Sequence, residues 1–278
     1  MRAEARMTRE ANMQPNDFTN NSRYEPCLTT TGVAWAVVQV RIAPDRSSAE
    51  GGFCGSAWVV NAAADGITFA TAAHLLVDEL FFPADQPRPV THVWICNGDE
   101  SFLIGQDACR VAGNDVAFVK VTPRNAAGRP VHITWYAHSK VPSDDLTWSV
   151  SAYNVGYPIR ESYGRQFNCD IELPSPPLTF AGGPWMQVGN TMGARRITAA
   201  TDPPLSNAGT FLLNYASEKG FSGGPVLDRN TNKILGMMCA VVPNNGLPPI
   251  YSLAISIEEI SDRHQRVFGA PIAQPPAR

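Results

Sequence analysis

Apolar residues fall along the chain in short runs of strand length, punctuated by proline and glycine, and long segments with a helical period of 3.6 are scarce. Ala34–Ile42, Cys54–Val60 and Ile67–Thr71 read as three successive strands, with a Ser- and Gly-rich turn over 44–52 between the first two. The segment from Asn61 to Gly66 reads as a hairpin loop, because Asp65-Gly66 supplies the positive φ values of a tight turn. A helical turn at Ala73–Val77 and a proline-rich loop over 82–89 follow. His92–Cys96, Ser101–Ile104 and Cys109–Val111 are short strands, and Asp115–Val121 completes the set.

Residues 122–147 carry Pro123, Gly128, Pro130 and Pro142 and read as a crossing to a second half. There the strands are Trp148–Val155, Trp185–Val188, Phe211–Tyr215, Ile234–Val242 and Ile250–Ile255. Ser256 followed by Glu259 is a capping box, which predicts a helix to about Phe268. The organisation expected is a polar N-terminal arm (1–30), a first barrel (31–121), the crossing (122–147), a second barrel with its helix (148–268) and a tail (269–278), disordered from Pro271. The arm itself fits a short helix, a flexible segment or a strap over the barrel. The proline-rich stretch 159–209 fits a loop that shapes a substrate groove equally with a passive surface elaboration.

Composition sharpens this picture only at a few points. Of the 278 residues 17% are charged, against roughly 25% in an average globular protein, and the 22 glycines and 23 prolines suit an all-β chain with many turns. A formal net charge of −3 gives no electrostatic reason to expect nucleic acid or an anionic membrane as a partner. No apolar run is long enough to span a bilayer. Residues 1–7 are charged and lack the apolar core of a secretory signal, so a cytoplasmic location is expected. No cofactor and no metal are expected: there is no Cys-x-x-Cys pair, and His92, His132, His138 and His264 lack ligand spacing.

Three stretches carry candidate chemistry. Gly220-Phe221-Ser222-Gly223-Gly224-Pro225-Val226 places a serine on a glycine-rich loop entering a strand, where the N–H groups of Gly220 and Ser222 can converge on a developing oxyanion. Phe69-Ala70-Thr71-Ala72-Ala73-His74 ends an apolar run on a histidine, and Gly113-Asn114-Asp115-Val116 sets an acid at the mouth of an alternating strand. Ser222 is a poor nucleophile while protonated. His74 is the residue whose ordinary titration range lets it take that proton and return it to a leaving amine. Asp115 would hold the other ring nitrogen. The separations, 115 − 74 = 41 and 222 − 115 = 107 residues, exclude a local motif and require two halves meeting at a cleft.

These three stretches, with Gly52-Phe53-Cys54-Gly55-Ser56-Ala57-Trp58-Val59-Val60 as a weaker fourth, resemble the histidine, aspartate and serine motifs of the trypsin-like (chymotrypsin-fold) serine proteases over about residues 30–268. The resemblance implies two six-stranded antiparallel β-barrels (chymotrypsin-like) with a C-terminal α-helix. It implies a catalytic triad of His74, Asp115 and Ser222, an oxyanion hole from Gly220 and Ser222, and a protein or peptide substrate.

The chain also departs from the secreted members. Their disulfide partners at the Leu75 and Glu218 positions are missing, so free thiols in a reducing compartment are expected for Cys27, Cys54, Cys96, Cys109, Cys169 and Cys239. Phe221 stands where zymogen-type relatives carry an activation acid. The site is therefore either formed constitutively or ordered by something else, such as an activating protein partner. Cys239 stands where relatives place a serine that supports the aspartate, and a thiol is a weaker partner. By the same resemblance Ala216 lies at the base of the specificity pocket and Cys239, Ala240 and Val241 along its wall, which implies a small or apolar residue before the scissile bond. The reading that follows is a serine endopeptidase. Its alternative is a catalytically silent peptide-binding module on the same fold.

Overall fold

The computed structural model describes residues 24–27, 32–42, 49–76, 90–97, 100–124, 128, 131, 133, 135–140, 150–158, 184–193, 209–244 and 247–275. Fourteen strands and one α-helix lie in this part of the chain. In chain order the strands are β1 (Tyr24–Pro26), β2 (Trp35–Ile42), β3 (Ala49–Ala63), β4 (Gly66–Ala72), β5 (Val90–Asn97), β6 (Glu100–Ile104), β7 (Cys109–Gly113), β8 (Val116–Val121), β9 (Val150–Gly156), β10 (Trp185–Gly193), β11 (Thr210–Leu213), β12 (Pro225–Asp228), β13 (Ile234–Asn244) and β14 (Leu247–Ser256). The helix α1 is Ile257–Phe268.

The first half is a curled antiparallel sheet in the order β6-β5-β2-β3-β4-β8-β7. It holds seven strands, one for each strand read from this part of the sequence and one more than the six-stranded barrel that the resemblance implies; the 3-10 turn Gln106–Ala108 separates β6 from β7, which lie at opposite edges of the sheet. Among the described residues no ladder joins β6 to β7, so this half is a half-barrel. The second half closes. Its strands run β10-β11-β14-β13-β12-β9, and β9 pairs back onto β10 to complete a six-strand ring, with β1 added alongside β10. The strand β3 is longer than its apolar run suggested, because backbone pairing with β2 continues to Ile42 opposite Ala49, and its hairpin to β4 narrows to Ala64-Asp65.

The alternation of β2 explains why these runs look continuously apolar. Trp35 and Val37 face the interior of the first half, with Phe69, Ile95 and Phe102, while Ala36 and Val38 face a second cluster between the halves. That shared cluster takes Trp58, Trp94 and Phe118 from one half and Tyr153, Val155, Leu227 and Ile255 from the other. A strand buried on both faces has little reason to carry polar residues. A third cluster, with Phe211, Leu213, Phe221, Val226 and Met238, fills the closed ring. Trp35, Phe69 and Phe102 stack with centroids 5.1–5.8 Å apart.

The helix α1 begins as expected: Ser256 has an extended backbone and its hydroxyl accepts the Glu259 N–H. The return half of the capping box is missing, since the Glu259 carboxylate turns to Arg263 and the Ser256 N–H donates to the Gly209 carbonyl. Gly269, left-handed at φ 78°, closes the helix at its C-terminus. Loss of the one cap bond in Ser256→Ala should cost about 1 kcal/mol, read from the midpoint of denaturant unfolding at unchanged m-value. The helix follows the second half and packs on both, touching β13 and β14 on one side and β7 and β8 on the other, with Phe118 of β8 5.2 Å from the His264 ring and 5.8 Å from Phe268. The expectation of a disordered tail is corrected for 271–275: Ile272 is buried against the shared cluster, its N–H donates to Ser261, and Gln274 brackets His138. The apolar side chain of Ile272 supplies the anchor that the polar composition of the tail concealed. The N-terminal arm before residue 24 and the stretches 159–183 and 194–208 lie outside the described residues.

Candidate active site

His74 leaves the sheet where β4 ends at Ala72 and the chain enters a helical turn at 74–76. Asp115 sits in the tight connection from β7 to β8, where Gly113, Asn114 and Asp115 have φ values of 81°, 52° and 58°. Asn and Asp are the side chains that best tolerate this left-handed region, at a cost on the order of 1 kcal/mol each. Pairing of Ala72 with Val116 brings the two connections together. The Ala73 N–H donates to the Asp115 carbonyl at 2.9 Å, and the His74 N–H donates to Asp115 Oδ1 at 2.9 Å. The ring then follows: His74 Nδ1 lies 3.0 Å from Oδ1 and 2.9 Å from Oδ2. The Asp115 side chain is 3% exposed and that of His74 31%, so the carboxylate is shielded from water while the imidazole keeps an open face. An ionised carboxylate only accepts, so facing it Nδ1 is the donor and Nε2 is left as the acceptor of the ring.

The serine loop is tied to the same strands. The Ser56 N–H donates to the Ser222 carbonyl at 2.8 Å, and Ser56 Oγ donates to the Gly220 carbonyl at 2.7 Å. Gly223, at φ 82°, donates to Met238 O, and a Cβ there would run into the Ser56 carbonyl and close on the Ala72 nitrogen. Only glycine fits both its backbone angle and its surroundings. Phe221 is fully buried in the core of the closed ring, so an apolar anchor secures the loop. The N–H groups of Phe221, Gly223 and Gly224 are taken by Glu218 O, Met238 O and Phe221 O. Those of Gly220 and Ser222 take no backbone partner among the described residues, which leaves two donors on one turn for an oxyanion. Ser222 itself is half-buried. The structure thus brings His74 and Asp115 into contact and docks the Ser222 loop beside them. No hydrogen bond joins the His74 ring to the Ser222 hydroxyl among the described residues.

Cys239 is buried, and its thiol donates to Leu253 O at 3.1 Å rather than to Asp115. Burial, and then the nearby Asp115 charge, hold this thiol well above its usual titration range. Burial does the same to Cys96 and Cys109. Cys96, Cys109 and Cys239 form no disulfide. In native protein at pH 8, Cys96, Cys109 and Cys239 should resist alkylation by iodoacetamide and become reactive only on unfolding, as counted by mass spectrometry. Labelling of any of them at the rate of a free thiol would contradict the burial described.

At the pocket segment Ala216, Ser217 and Glu218 are half-buried, Ala240 is buried and Val241 is half-buried. Beneath them lies a polar layer absent from the sequence expectation. Gln187 Nε2 donates to Ala216 O, Asn154 Nδ2 to Ser217 Oγ, Tyr215 OH to Asn154 Oδ1, and Ser252 Oγ to Tyr215 O. Sequence reading also missed the structural role of Ser56. Its partners Tyr157 and Gly220 are 101 and 164 residues away, and no local signal announces such contacts. Among the described residues no group of three or more His, Cys, Asp or Glu is placed to hold a metal ion.

No protein-family model and no curated protein matches the chain. Among solved structures it is similar to the HtrA-type protease AlgW with a decapeptide, at TM-score 0.53 and 12% identity over 92% of this chain and 68% of that one. It is also similar to AlgW with a tripeptide, at TM-score 0.51 and 12% identity over 93% of this chain and 65% of that one. The chain spans about two thirds of the length of these structures. At this identity the likeness concerns architecture: a mostly β chain with one closed six-strand barrel, a half-barrel and a C-terminal helix, which is the chymotrypsin-like double-barrel fold.

Proposed function

We propose that the protein is a serine endopeptidase in which Ser222 attacks the scissile carbonyl, His74 relays the proton and Asp115 fixes the imidazole. The observation that carries this reading is the bonding of Asp115 to the backbone N–H and the ring Nδ1 of His74, beside a serine loop whose Gly220 and Ser222 N–H groups take no backbone partner among the described residues. As Ser222 Oγ bonds to the carbonyl carbon, its proton passes to His74 Nε2 and the carbonyl electrons move to oxygen, where the two N–H groups receive them. Collapse breaks the C–N bond, and the His74 proton leaves with the amine. Water then repeats the sequence on the acyl-enzyme.

AlgW, the similar structure, holds peptides, which supports a peptide substrate here. Burial of Phe221 favours a loop formed without zymogen cleavage. The buried thiols of Cys96, Cys109 and Cys239, which form no disulfide, favour a reducing compartment. A second reading, a peptide-binding module without turnover, draws on the lack of a His74–Ser222 hydrogen bond, a contact that often tightens only with substrate in place. A fluorophosphonate probe separates the two: stoichiometric modification of Ser222, located by peptide mapping, is expected of the hydrolase, and a protein that binds peptides yet never reacts would overturn it.

A further inference from the structure

We infer that Arg263 of α1, held by Glu259, is a positioning residue for Asp115, acting through the backbone of the turn that carries the carboxylate; the inference rests on the hydrolase reading above. Gly113, Asn114 and Asp115 are consecutively left-handed. Such a run persists only where its surroundings over-determine it. On its downstream side the turn is fixed by the bonds from Ala73 and His74 to Asp115. On its upstream side β7 slips in register between Val111 and Gly113, so the sheet ladder alone does not secure it. Arg263 occupies this gap: Nη1 donates to the Ala112 carbonyl at 3.0 Å, and a Cβ on Gly113 would lie 3.0 Å from the same nitrogen.

The guanidinium is itself immobilised. Nε and Nη2 both reach Glu259 Oε1, at 2.7 and 2.6 Å, with the two side chains 20% and 11% exposed. Shielded from water and doubly bonded, this pair has the geometry in which an arginine fork holds position rather than decorating a surface. The Glu259 carboxylate is available for it because it does not complete the capping box. Its backbone N–H meets Ser256, but its side chain turns to Arg263. A helix that follows the second half in sequence therefore reaches the first half three residues from the candidate triad acid.

Arg263→Met keeps most of the stem and deletes the donors. We expect it to stay folded, as judged by near-UV circular dichroism, to lower kcat by about tenfold and to leave KM within about twofold, since a small misplacement of a reacting constellation affects the chemical step more than binding. We also expect the low-field proton NMR resonance of the His74 Nδ1–H to move upfield or broaden. Glu259→Gln, which loosens the clamp without emptying it, should shift both readouts in the same direction by less, and it serves if Arg263→Met fails to fold. A folded variant with the His74 resonance and kcat unchanged overturns the inference. The resonance reads the turn whether or not the protein turns over. A wild type that hydrolyses nothing therefore bears on the hydrolase reading alone, while the resonance still decides the role of Arg263.

Discussion

Replacing Ser222 with alanine is expected to lower kcat/KM for a peptide substrate by about 10⁴-fold or more and to abolish fluorophosphonate labelling. The size follows from what the residue supplies. Without its oxygen no acyl-enzyme can form, and the residual rate comes only from binding and from the Gly220 and Ser222 N–H donors, which the substitution leaves in place. The fold should not suffer. The loop is held by the Ser56 bonds to the Ser222 and Gly220 carbonyls, by Gly223 against Met238 O and by the buried Phe221 ring, none of which uses the hydroxyl. Peptide affinity measured by titration should therefore stay within about twofold of wild type. Activity that survives in Ser222→Ala at a tenth of wild type would mean that another group is the nucleophile.

Asp115→Asn is expected to cost about 10⁴-fold in kcat with the architecture intact. The carboxylate accepts from both the backbone N–H and the ring Nδ1 of His74. An amide has one acceptor oxygen for these two donors. With that oxygen on the backbone N–H, its NH₂ faces Nδ1 and turns that nitrogen into an acceptor. The proton then moves to Nε2, where the base is needed, and the imidazolium also loses its counter-charge. Asn is as tolerant of the left-handed backbone as Asp, so the turn should hold; an unchanged thermal midpoint beside the lost kcat would establish this. Equal kcat in the two proteins would show that Asp115 serves the fold and not the chemistry.

The residues behind both effects were legible in the sequence. Ser222, His74 and Asp115 could be picked out because each stands in a local context that has a physical meaning on its own: glycines around a nucleophile, small residues before a base, an acid at a strand mouth. The polar layer under Ala216 could not. Gln187, Asn154, Tyr215 and Ser252 are unremarkable in their segments and become a network only when β9, β10 and β14 close the second ring.

The sequence by itself determined the all-β class, most strand positions, the Ser256 cap and the capped helix to Phe268, because period, turn chemistry and capping are written within a few residues of where they act. Tertiary structure alone decided that the first half stays open while the second closes, because strand pairing depends on partners tens of residues away. It also decided that Phe221 anchors the serine loop in a core, that Cys239 bonds to Leu253 instead of Asp115, and that Arg263 reaches Ala112 across 151 residues. Hydrogen bonds and burial at such separations reflect how layers stack, and no short window of sequence carries that information.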